Sequence, residues 1–204
     1  MKSLLSIGIM LVAFANQALA AITVTVQESG TNLVVSSSGT LNSGVCTSIT
    51  PGFVSSFNGI IPSSQPVLAF GTVGSTQDQC AGTTIAPTTG FGTGGSLSAA
   101  TNTGISYYFQ PGIGFWGPTG WSSATAMTAS MTFANASFAS AGITPGTYVY
   151  TFSNGATTDT LTINVTLPPP PAPTPTLSAW GSMVLLALIT LIGGRRYWNS
   201  RKMQ

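Results

Sequence analysis

The chain has 204 residues, and only 4% of them are charged, against about 25% in an ordinary soluble domain. Its five cations, Lys2, Arg195, Arg196, Arg201 and Lys202, all sit at the two ends, so the body has nothing with which to neutralise phosphates, which argues against nucleic-acid binding. The same gap removes Ser-His-Asp, Ser-Lys and Cys-His catalysis, since the body holds no Lys, Arg or His.

Three acids remain, Glu28, Asp78 and Asp159, each alone in a different segment. A carboxylate pair for glycoside hydrolysis is not expected from that spacing. No D-x-D loop offers clustered oxygens for calcium, and two cysteines without histidine make no zinc set. We therefore expect no catalytic residue, no metal and no cofactor. Glu28 and Asp159 stand beside turn residues, where a solvated acid is the ordinary outcome.

The N-terminus has the three parts of an export signal. Lys2 is the positive region, LLSIGIMLVAFA (4–15) the apolar region, and Ala18-Leu19-Ala20 the small-residue cleavage site. The apolar run is short for a bilayer. Cleavage after Ala20 makes residues 1–20 the signal peptide; an uncleaved N-terminal anchor is the alternative.

Residues 21–167 read as one β domain. AITVTVQ (21–27) alternates Ile22, Val24 and Val26 with threonines and Gln27, the period of a half-buried strand. Further strands are predicted at 33–41, 66–73, 104–110, 124–133, 147–152 and 160–167. SFASAG (137–142) is predicted to make one helical turn. The last two strands are joined by SNGATTD, in which Asn154-Gly155 suits positive φ. Tyr148, just past the Pro145-Gly146 turn, stands where a tyrosine corner occurs in immunoglobulin-like sandwiches. Its hydroxyl either bonds back to the preceding loop or meets water.

Seven such strands predict an all-β fold: an antiparallel β-sandwich, immunoglobulin-like if the tyrosine corner holds, with a small barrel or jelly roll as the alternative. Cys46 and Cys80 in an exported chain pair most simply with each other; two free thiols are the alternative.

Two motifs have competing readings. GFGTGG (90–95) matches G-x-G-x-x-G but lacks the strand before it, the helix after it and the later acid, so it reads as a flexible loop. YYFQPGIGFWGPTGW (107–121) concentrates aromatics. Phe115, Trp116 and Trp121 either stack on a glycan or partner, or fill and cap the core. Asn135-Ala136-Ser137 and Asn164-Val165-Thr166 are formal glycosylation sequons that read as turn and strand residues.

PPPPAPTP (168–175) follows, a polyproline stretch rising about 3.1 Å per residue and stiff enough to act as a spacer. Residues 177–194 then form an uncharged run of 18. As a helix it would be about 27 Å long, close to the hydrocarbon thickness. The basic cluster Arg195, Arg196, Arg201 and Lys202 in the tail 195–202 would stop translocation and stay cytoplasmic, leaving the β domain outside. One C-terminal transmembrane helix is therefore expected. A glycolipid-anchor signal would end in the apolar stretch, without a basic tail.

Thr174-Pro175-Thr176-Leu177-Ser178-Ala179-Trp180-Gly181, followed by an apolar helix and arginines, resembles the IPTL-CTERM sorting domain of Gram-negative bacteria, which shares its layout with PEP-CTERM tails. Residues 174–202 are covered, with the motif at 174–181; Thr174 stands where the family usually has isoleucine. The resemblance implies an exosortase, an integral-membrane processing enzyme, as partner. Pro175, Thr176, Leu177, Ser178, Trp180 and Gly181 would be read by it as substrate. It further implies an exported protein, first an inner-membrane intermediate and then part of the cell surface or an exopolysaccharide matrix. TVTVQESGTNLVVSSSGTL and ASFASAGITPGTYVYTFSNG also resemble, in cadence, the small β domains that carry such tails.

The expected function is a non-enzymatic envelope or matrix protein. The alternatives are a surface carbohydrate-binding module using exposed aromatics, and a plain single-pass anchored protein.

Overall fold

The computed structural model describes residues 21–63, 65–167, 181 and 183–191. The chain divides into two compact units, Met1–Pro168 and Pro169–Gln204.

Among its described residues the first unit is all-β apart from a 3-10 turn at Ser43–Val45 and one turn of helix α1, Phe138–Ala141. Its fourteen strands are, in order, β1 (Ala21–Ser29), β2 (Asn32–Gly39), β3 (Ser48–Val54), β4 (Gly59–Ile61), β5 (Val67–Phe70), β6 (Thr76–Ala81), β7 (Thr84–Ala86), β8 (Leu97–Ser98), β9 (Thr101–Gly104), β10 (Tyr107–Gln110), β11 (Gly114–Pro118), β12 (Ala129–Phe133), β13 (Gly146–Ser153) and β14 (Thr158–Thr166). They form two seven-stranded sheets: β7-β13-β14-β1-β2-β12-β9 and β3-β6-β11-β10-β5-β4-β8. Among the described residues both sheets have open edges, so neither closes into the barrel weighed above.

The expected antiparallel sandwich needs one correction. β1 runs parallel to β14, with Ala21 opposite Thr160 and Gln27 opposite Thr166. The other pairings are antiparallel. The sheets meet through Phe109, whose ring packs against Tyr150 at 5.1 Å and Phe152 at 5.9 Å across the interface.

The alternation read in the sequence sets this core. Ile22, Val24 and Val26 are fully buried, as are Leu161 and Ile163 of the neighbouring strand. Each such side chain contributes about 1.5–3 kcal/mol over leaving it in water. The alternate positions on β14, β1 and β2 make the outer face of the first sheet. Thr147, Asn164, Thr25, Ser36, Ser130 and Thr103 lie side by side across six strands there.

Local chemistry ends the elements. Ser137 caps α1 through a reciprocal pair with Ser140, and Gly142 closes it in the left-handed region at φ 61°. Tyr148 resolves its two readings: its hydroxyl donates to the Thr144 carbonyl at 2.9 Å. Strand β3 is an edge, and Pro51 with the register shift before Phe53 keeps that edge from templating further strands.

In the second unit, residues 181 and 183–191 are helical, and Met183, Val184, Leu185, Leu186, Leu188, Ile189 and Leu191 are all exposed. Among the described residues, no helix is long and apolar enough to cross a membrane. The rest of the expected span 177–194 lies outside the described residues.

Candidate functional site

Much of the predicted sorting machinery lies outside the described residues: Ala18, Ala20, Pro175, Thr176, Leu177, Ser178, Trp180, Arg195, Arg196, Arg201 and Lys202. Gly181 begins the described helical stretch.

Cys46 and Cys80 are joined in a disulfide with their Cα atoms 5.1 Å apart. Cys46 follows the 3-10 turn that leads the chain out of β2, and Cys80 belongs to β6 of the other sheet. The bridge therefore pins a crossover between sheets to the second sheet.

Glu28 and Asp159 are not the free surface groups their neighbours in sequence suggested, and Asp78 is not free either. Glu28 accepts the Phe138 backbone N–H at 2.6 Å, where α1 begins. Asp78 is buried and accepts the Gly120 N–H at 2.7 Å. Asp159, only 3% exposed, accepts the Asn42 N–H at 2.6 Å and the Thr160 N–H at 2.7 Å. Each carboxylate thus holds a loop or helix end by charge-assisted bonds to backbone amides. Among the described residues, no three His, Cys, Asp or Glu come together as a metal site needs.

Burial raises the Asp159 carboxyl above its ordinary value, and the two amide bonds offset part of the rise. The folded state therefore holds this proton more tightly than the unfolded chain does. The stability it contributes is present below the ordinary carboxyl value and is lost as pH rises through the raised one. We expect Asp159→Asn to flatten the fall in melting temperature between about pH 4 and pH 7, read by thermal melts of both proteins across that range. Equal slopes would show that other groups carry the dependence.

The aromatic segment 107–121 splits between two faces. Tyr107, Phe109 and Phe115 are fully buried between the sheets. Trp121, 4% exposed, sets its ring edge-on to Phe115 at 5.4 Å and donates its Nε1–H to the Asp78 carbonyl at 3.2 Å. Phe115 and Trp121 therefore belong to the core and have no face to offer a glycan, which corrects that reading for both. Trp116 is 7% exposed but points the other way, onto the outer face of the second sheet. There it meets Phe53 and Tyr108, with ring centres 4.9 and 5.2 Å away.

Phe53 and Gln79, both on that face, were missed in the sequence. Phe53 lies behind Pro51-Gly52, which hides a strand, and Gln79 sits in the polar run TQDQCA.

The GFGTGG loop is not the flexible segment expected. Phe91 is fully buried, and Thr93 and Gly94 donate backbone N–H bonds to Gly142 at 2.8 and 3.2 Å. A Cβ at Gly92 or Gly94 would collide with the backbone carbonyls of Gly142 and Ala141. These glycines are needed for close backbone packing against the end of α1.

An open cavity of about 370 Å³ lies beside α1, lined by Glu28, Thr31, Asn135, Ser137 and Ser140 among others. Its one charged group is already bound to the Phe138 amide.

No protein-family model, curated protein or solved structure matches the chain.

Proposed function

We propose that the chain is an exported, non-enzymatic envelope or matrix protein, whose β domain is the cargo of a C-terminal sorting tail read by an exosortase-type membrane enzyme. The observation that carries the reading is the order of parts. P-T-L-S-A-W-G (175–181) opens the apolar run 177–194, which leads straight into the basic cluster 195–202. Export through an inner-membrane intermediate to the cell surface or an exopolysaccharide matrix follows from that reading.

Three features support it. The described part of the apolar run is a helix with large hydrophobic residues exposed along its length, and a helix apolar all round has no side suited to water. The disulfide suits an oxidising compartment. All three carboxylates bind backbone amides at element ends, a structural use that leaves catalysis no evident acid pair. The bond from Tyr148 to Thr144, placed as in a tyrosine corner, supports an immunoglobulin-like form of the sandwich.

The test expresses the full chain in a Gram-negative host with and without an exosortase and measures intact mass in each cell fraction. The expected result is loss of the tail mass only when the enzyme is present. Replacing Trp180 and Gly181 by alanine should reduce the processed product at least tenfold. A product that keeps its tail and stays in the membrane under every condition would make the protein a plain single-pass anchor.

A further inference from the structure

We infer that the outer face of the second sheet is a binding platform for a neutral polysaccharide, with Phe53 and Tyr108 as its stacking rings. The pairing registers lay Thr50, Gln79, Trp116, Tyr108 and Ala69 in one row across five strands. Trp116 lies along its own strand over Gly114, where a Cβ would come 3.1 Å from the indole Cη2. The indole is almost fully covered and serves as a rigid base. Phe53 reaches over from the edge strand to within 4.9 Å of it, and Tyr108 stands edge-on to it at 5.2 Å and 79°. Phe53 and Tyr108 are half-buried, with part of each ring open to water.

Polar groups of the right kind flank these rings. Gln110 accepts the Tyr108 hydroxyl through Oε1, which leaves its amide N–H bonds to give. Among the described residues the Gln79 side chain has no hydrogen-bond partner, so its amide can both donate and accept. Ring faces beside uncharged amides match the C–H faces and hydroxyls of pyranose sugars.

Charge selects among sugars. Asp78 lies on the opposite side of its strand and is bound to Gly120, so none of the three acids faces this surface. With no cation between residues 3 and 194, an anionic glycan or a nucleic acid would find no counter-charge. A neutral chain meets no such penalty. The inference stands apart from the fate of the tail.

Affinity electrophoresis of the full chain in detergent tests it, with hydroxyethylcellulose and xylan as neutral probes and alginate as the anionic one. We expect retardation by at least one neutral probe and none by alginate. Phe53→Ala and Tyr108→Ala should each weaken it about tenfold. Gln79→Glu, which leaves the rings packed, should weaken it as well, while Thr162→Ala on the other sheet should not. Thermal melts of each variant separate lost binding from lost folding. No retardation by either neutral probe, retardation by alginate alone, or variants that fold and bind like the parent would overturn the inference. So would a face that instead joins two copies, seen as a concentration-dependent dimer abolished by Phe53→Ala.

Discussion

Replacing Trp121 by alanine should cost the domain about 4 kcal/mol, a large share of the roughly 5–15 kcal/mol that a domain of this kind has. The indole is packed edge-on to Phe115, and Gly117 comes so close that a Cβ there would strike the ring. Removing it leaves a cavity in the core against the inner face of β11 and β6. It also leaves the Asp78 carbonyl without its donor, which adds about 1 kcal/mol. At about 2–4 °C per kcal/mol for this size, the melting temperature should fall by roughly 10–15 °C. Trp121→Phe keeps the ring contact and loses the hydrogen bond, so it should cost less than half as much. Circular dichroism melts decide the matter. A shift under about 2 °C for the alanine variant would mean that this ring is not part of the core.

Opening the disulfide should come close behind. Cys46 and Cys80 are 34 residues apart, and loop-closure entropy for that length gives about 3.5–4 kcal/mol. Without the bridge, the chain leaving the first sheet is no longer tied to β6. The double variant Cys46→Ser/Cys80→Ser should melt roughly 10 °C lower, and the parent protein should approach that value in reductant. Equal melting of oxidised and reduced parent would remove the bridge from the list of stabilising features. Cys80 is paired in register with Phe115, and Phe115 packs on Trp121. The two sets of substitutions therefore share neighbours, and their combined cost should depart from the sum.

The first sheet was easier to read than the second for a physical reason. β1, β2, β13 and β14 bury one face and wet the other, so the period of two is visible in ITVTV and in TLTINVT. The second sheet mixes its signals. β5 is buried on both sides and shows no alternation. β6 carries Gln77, Asp78 and Gln79 in a row, and β11 is GFWGP, with glycines and a proline that ordinarily mark turns. The run 104–110 looks in sequence like one strand, yet it holds the end of β9 and all of β10, which belong to different sheets. Within the aromatic segment, sequence gave the residues but not their sides. Only register shows that Trp116 and Tyr108 face out while Phe115 and Tyr107 face in. The acids misled for a similar reason. A carboxylate beside a turn looks solvated until a distant backbone amide, such as that of Asn42 opposite Asp159, is folded onto it.

The parallel pairing of β1 with β14 joins the first strand of the domain to its last. A chain emerging N-terminus first, whether from a ribosome or a pore, cannot complete that sheet until Thr166 has come through. Until then Ile22, Val24 and Val26 have one neighbour, β2, and the other flank of β1 stays open. Such long-range closure makes for slow folding. It also means that the domain stays threadable through a narrow channel until its final strand has passed. Completion of the sheet is thereby timed to the appearance of the last strand, and the proline run begins just after it, beyond Leu167.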